Sequence, residues 1–168
     1  MIESFEQLEF PAMRFIGKEG ADFDDAERCG AMRVLDGMRE YGSGFDHDVL
    51  FMHHNGLSAE NRLYSVWGRF MRADALVPDG FVSIALTPHY IHGAGPPYLS
   101  RFAFAVFSGD ADAMHTAEGY ECDAMYDFTR NAVLSGGVNI PYPEKFWTAE
   151  VFFDDCGDKA GYLFSTCD

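Results

Sequence analysis

The sequence predicts an α+β fold: two β-α-β-β repeats related by a pseudo-two-fold, forming a mainly antiparallel sheet with two helices on one face. Three observations carry that expectation. The order of strand-like and helix-like segments recurs at an offset of roughly 90 residues. Each half holds one helical stripe closed by glycines. The segment "KFWTAEVFFDD" (145–155) has the two-residue period of a strand. Residues 1–168 are read as a single domain, with repeat one about 1–90 and repeat two about 98–168.

The first half opens with "LEFPAMRFIGKEG" (8–20), a strand. In "DFDDAERCGAMRVLDGMREYGSG" (22–44), Cys29, Met32, Leu35 and Met38 recur every three residues, with Tyr41 following. Acidic residues crowd the start of this segment and Gly42 and Gly44 close it, as helix ends prefer. "DVLFMHHNG" (48–56) and "GFVSIALTP" (80–88) read as strands. The second half repeats the order. "SRFAFAVFSGD" (100–110) is a strand, and 110–137 is helical at least from Tyr120 onward, stopped by Gly136 and Gly137. "KFWTAEVFFDD", the turn "CGDKAG" and "GYLFSTC" (161–167) complete it. Residues 56–98 are less regular. The part 56–80 is longer than the plan requires, and "TPHYIHGAGPPY" (87–98) is a Pro/Gly-rich loop.

Composition narrows the function classes. The chain is 48% hydrophobic and carries 16 Phe, 8 Tyr and 2 Trp, more rings than a core of this size needs. Most are assigned to the core and the surplus to lining a cavity. The net charge of −15 repels phosphate backbones, which disfavours nucleic acids and anionic membrane surfaces and favours cationic small molecules. There is no run of about 18 apolar residues to span a bilayer and no basic-then-apolar leader at the start of the sequence. The four cysteines lack a CxxC pair. A cytoplasmic, thiol-reduced setting is therefore expected.

Metal and cofactor are not expected. His53 and His54 are adjacent, so on a strand they face opposite sides. His89 and His92 lie in a loop without an evident third ligand, and metal sites converge three or four. Cys122 has no evident base or positive neighbour, so it is not read as a nucleophile.

Glu150 is the anomaly. Along 145–155, Trp147, Ala149, Val151 and Phe153 share one apolar face, while Phe146, Thr148, Glu150 and Phe152 share the other. A carboxylate among phenylalanines must be paired, hydrogen-bonded or protonated, because desolvation is costly. Three readings compete: a structural pair with an Arg or Tyr, an anchor waiting for a cationic or donor-bearing ligand, and a general acid or base.

The two-fold plan, the early "FPAMRFIGKEG", the helix running into "VLSGG" and the approach "IPYPEKFWTAEVFF" together resemble the GyrI-like small-molecule-binding domain, the effector-binding half of multidrug-responsive transcription regulators. The local signature is Gly136, Gly137, Pro141, Pro143 and then Glu150 inside an aromatic strand. The resemblance implies a cradle between the repeats that binds apolar, often aromatic and cationic compounds, with Glu150 at its centre. Some stand-alone members hydrolyse reactive cyclopropane-bearing compounds with a glutamate and an aromatic hydroxyl. The chain begins directly at its first strand with no helix-turn-helix, so a stand-alone binder is expected rather than a DNA-binding regulator.

The expected function is therefore binding of a small hydrophobic or cationic molecule. Glu150 is the anchor and Trp67, Tyr90, Phe146, Trp147 and Phe152 are candidate walls, Trp147 against the strand alternation. Tyr98, Tyr126 and Tyr90 are the candidate hydroxyl partners of Glu150. The alternatives are hydrolysis of a reactive electrophile, with Glu150 catalytic, and a protein-interaction module with a protein partner.

Overall fold

The computed structural model describes residues 2–19, 25–54, 63–89, 98–108, 115–116, 119–120, 130–141, 146–153 and 159–167. In chain order the elements are β1 (Ile2–Glu9), β2 (Met13–Glu19), α1 (Asp25–Asp36), a 3-10 turn (Arg39–Tyr41), β3 (Asp48–His54), β4 (Leu63–Arg72), β5 (Val82–Thr87), β6 (Tyr98–Leu99), β7 (Arg101–Ser108), β8 (His115–Thr116), β9 (Gly119–Tyr120), α2 (130–135), β10 (Trp147–Phe152) and β11 (Lys159–Ser165). Nine strands form one sheet in the order β1-β7-β11-β10-β3-β4-β2-β5-β6. Every pair is antiparallel except β5–β6. The expected α+β class and mostly antiparallel sheet are found.

Several elements differ from expectation. Segment 8–20 is not one strand: Pro11 and Ala12 break it, and β1 lies at the far edge of the sheet against β7. The region 56–80, read as connector, contains β4, which sits between β3 and β2. Its two-residue period (Val66, Gly68 and Phe70 on one face; Trp67, Arg69 and Met71 on the other) carries the strand. Residues 22–44 do not form one helix. Arg33 and Leu35 carbonyls accept bonds from Gly37 and Met38, and the 3-10 turn follows. The buried stripe of α1 is Ala31, Met32 and Leu35, whereas Cys29 is exposed, because the true helical period is 3.6 and not 3. Residues 115–120 include the small β8–β9 hairpin.

The two sheet faces follow from register. One face carries Phe15, Val49, Phe51, Val66, Phe70, Phe102, Trp147, Ala149, Val151 and Leu163, all buried in one cluster with Phe45 and Tyr98. No helix covers it among the described residues; the sheet covers itself. Leu99 of β6 and Arg101 of β7 are two residues apart, yet β6 is at one end of the strand order and β7 next to the other. Ser100 spans the gap. Its N–H donates to Thr87 O at 2.8 Å, its hydroxyl to Phe10 O at 2.8 Å, and its carbonyl accepts from Phe10 N at 3.0 Å. The sheet must therefore curl until its ends approach. Phe70 of β4 then stacks on Phe102 of β7, strands that are not neighbours, at 5.4 Å. Gly17 and Gly68 face each other across β2–β4, and a Cβ on either would run into the partner strand's backbone. Their small size permits the close approach this curl requires.

The other face carries the helices. Ala31, Met32 and Leu35 of α1 pack on Ile16 and Met71. Val133 of α2 packs with Ala103, Ala105, Tyr162 and Phe164. Between these flanks lie β10 and β3. No helix among the described residues is long and apolar enough to cross a membrane.

Candidate functional site

The strip between the helices is two strands wide, and register fixes its floor. Across the strands runs the row Tyr162 (β11), Glu150 (β10), Leu50 (β3), Trp67 (β4). One step along, Thr148 opposes Met52; one step the other way, Phe152 opposes Asp48. All of these point to the helix side.

Glu150 sits at the centre of this row and is half-buried. Burial pushes its carboxyl above the ordinary range. Among the described residues, no hydrogen bond or ion pair joins it. The desolvation cost is thus uncompensated by those residues, which is the condition under which a carboxylate favours an incoming cation.

Aromatic side chains stand on both sides. Trp67 packs against the α1 cluster and meets Phe152 at 4.6 Å between ring centroids, tilted by 40°. Phe152 is 36% exposed, high for a Phe in mid-sheet. The Arg28 guanidinium of α1 lies over the Trp67 ring, 5.3 Å from its centroid. On the opposite flank Phe146 packs against the α2 cluster, which includes the buried Tyr162.

A cavity of about 580 Å³ opens at the Phe152 end of the strip. Asp36, Asp46, Asp48, Arg69, Phe152 and Phe153 are among its lining residues; Glu150 is not. Arg69 ties it together, donating to Asp36 Oδ1 and Asp48 Oδ1 at 2.7 Å each. The hydrogen bond from Arg69 holds the Asp36 carboxyl below the ordinary carboxylate range. No group of three or more His, Cys, Asp or Glu able to hold a metal occurs among the described residues.

The expected site residues divide cleanly. Glu150, Trp67 and Phe152 share the strip, and Phe146 stands on its α2 flank. Trp147 does not belong with them: it is 0% exposed on the opposite face, and its Nε1–H donates to Leu99 O at 3.0 Å. Strand alternation sends it inward. Tyr98 also lies in that inner cluster, its hydroxyl 2.9 Å from His53 Nδ1 and its phenol pushed up to about 12 by burial. It therefore faces the core and not Glu150. Tyr90 and Tyr126 lie outside the described residues. Among the described residues, Tyr162 is the direct cross-strand neighbour of Glu150. The signal for it was the β10–β11 hairpin register, which a two-residue alternation counted back from the turn would have given.

A similar fold is found in a solved structure. The structure of SAV2435 bound to tetraphenylphosphonium matches over 98% of this chain and 94% of that chain, with a TM-score of 0.55 and 7% identity. At that identity the likeness is one of fold alone, the α+β architecture expected from the sequence. An integron cassette protein from the mobile metagenome of Vibrio cholerae covers 99% of this chain and 97% of its own at a TM-score of 0.38 and 7% identity. No family model matches the chain, and no curated protein matches it in sequence.

Proposed function

We propose that the chain binds a small hydrophobic cation on the strip between its helices, with Glu150 as the charge anchor and Trp67, Phe152, Phe146 and Tyr162 as aromatic surroundings. The observation that carries this reading is the Glu150 carboxyl: half-buried, shifted upward by desolvation, and without a pairing group among the described residues. A cation over aromatic faces in a desolvated site gains about 2 kcal/mol, and a facing carboxylate adds charge pairing while rejecting anions. The net charge of −15 works in the same direction. SAV2435 shares the fold and its structure holds tetraphenylphosphonium, which makes that ion the natural first probe.

The strand order supports an internal duplication. Read outward from the β3–β10 pair, one side runs β3-β4-β2-β5 and the other β10-β11-β7-β1. Each side offers the second, third and first strands of a β-α-β-β unit, then a leading strand taken from the other half. On this reading one domain contains two related halves, with the last strand of the first repeat being β4 and not segment 80–88. The pseudo-two-fold passes between β3 and β10, beside Glu150.

The test is calorimetric titration of the full chain with tetraphenylphosphonium. Binding is expected, and Glu150→Gln should weaken it about tenfold or more. Unchanged affinity in that variant would overturn the assignment. A second reading, hydrolysis of a reactive electrophile, gains one observation: Tyr162 stands directly across from Glu150 on the same face. In an enzyme Glu150→Gln would keep affinity and lose turnover.

A further inference from the structure

Building on that binding reading, we propose that Arg28 is a built-in competitor: its guanidinium occupies the Trp67 face that a guest cation would use, and a guest enters by displacing it. Arg28 belongs to the sheet-facing side of α1, one turn before Ala31 and Met32, and holds its charge 5.3 Å from the indole centroid. Trp67 lies on the same row as Glu150, with Leu50 between them. Two strand spacings therefore separate their backbones, about 10 Å, the breadth of a compact polyaromatic ion. A guest seated on Glu150 reaches Trp67, and finds a cation already there.

Two consequences follow from the chemistry. Like charges cannot share one ring face, so the free protein handicaps every cation by the loss of its own contact plus the repulsion. Only a guest with enough apolar surface to offset this will bind, so bulky delocalised cations are selected over small alkylammonium ions. Arginine also keeps its charge at all working pH values. The competition is thus constant with pH, whereas the attraction of Glu150 fades as its carboxyl takes up a proton.

Titration of the full chain with tetraphenylphosphonium and with tetraphenylborate, an anion of the same shape, tests this. Arg28→Met removes the charge and keeps the stem. It should bind tetraphenylphosphonium about five- to thirtyfold more tightly than the wild type. Arg28→Lys, which retains a cation, should gain much less, and tetraphenylborate should gain nothing from either change. Arg28→Gln repeats the measurement with a polar stem, and thermal melting confirms that each variant is folded. The proposal is overturned if Arg28→Met and Arg28→Gln bind the cation no better than wild type. It is equally overturned if both ions gain alike, which would mean that space and not charge was released. Failure of the anchor assignment reads out separately, as a Glu150→Gln variant that binds the cation like the wild type.

Discussion

The two faces of β10 begin from similar material and end differently. On the inner face Trp147, Ala149 and Val151 are buried, and the one polar group, the indole N–H, finds the Leu99 carbonyl. On the outer face Thr148 finds the Leu163 carbonyl at 2.9 Å, Phe152 stays 36% exposed, and Glu150 keeps a carboxyl that no described residue pairs. The inner face is filled by the sheet curling on itself; the outer one is flanked by helices that, among the described residues, leave two strands between them. Aromatic richness alone therefore distinguishes nothing. A ring belongs to the core when its face is closed from both sides, and to a candidate site when a polar group beside it lacks a partner.

That contrast is sharpened most by breaking the closed face. Trp147→Ala should cost about 3–5 kcal/mol, read as a lower denaturant midpoint, since it opens a large void and strands the Leu99 carbonyl. A smaller effect is expected at the end of the open face. Arg69→Met should destabilise by about 1–2 kcal/mol, less than a fully buried pair because Asp36 and Asp48 are partly solvated. The Asp36 share follows pH in a defined sense. Its carboxyl lies below the ordinary value in the folded chain, so the stabilisation is present above that ordinary value and is lost as pH falls through the folded one. Chemical denaturation at several acidic pH values should show the wild type converging on Arg69→Met.

The smallest stability effect, and opposite in sign, belongs to Glu150. Its folded carboxyl is raised, so its ionisation opposes folding. The penalty is absent below the ordinary carboxylate value and complete above the folded one. Glu150→Gln should therefore be slightly more stable than wild type near neutrality and equal to it in acid, as measured by melting temperature. Affinity for tetraphenylphosphonium should move the other way in the wild type, falling as pH drops through the raised carboxyl value.

Much of this was legible beforehand where one rule governed. The alternation of 145–155 separates Trp147 from Glu150 and is reproduced over Trp147–Phe152. The α+β class followed from element order. Legibility failed where a long-range constraint decided. The strand read at 8–20 takes in only the end of β1, because nothing local says that Ile2–Glu9 pairs with a strand about a hundred residues away. β4 falls within 56–80, a stretch that reads as an over-long connection, although its Gly68 is what lets β2 approach. In sequence Tyr98 reads as a candidate hydroxyl partner of Glu150. Only the curl of the sheet, invisible in any window of sequence, turns it inward to His53.

The one-residue step at Ser100 reaches beyond geometry into synthesis. A nascent chain ending before residue 98 has made β1 but not β7, the neighbour that β1 pairs with, and has made β3 but not β10. It also lacks β6, so three of its strands, β1, β3 and β5, have a hydrogen-bonding edge whose partner lies from residue 98 onward. The sheet therefore cannot be closed until the C-terminal half is made.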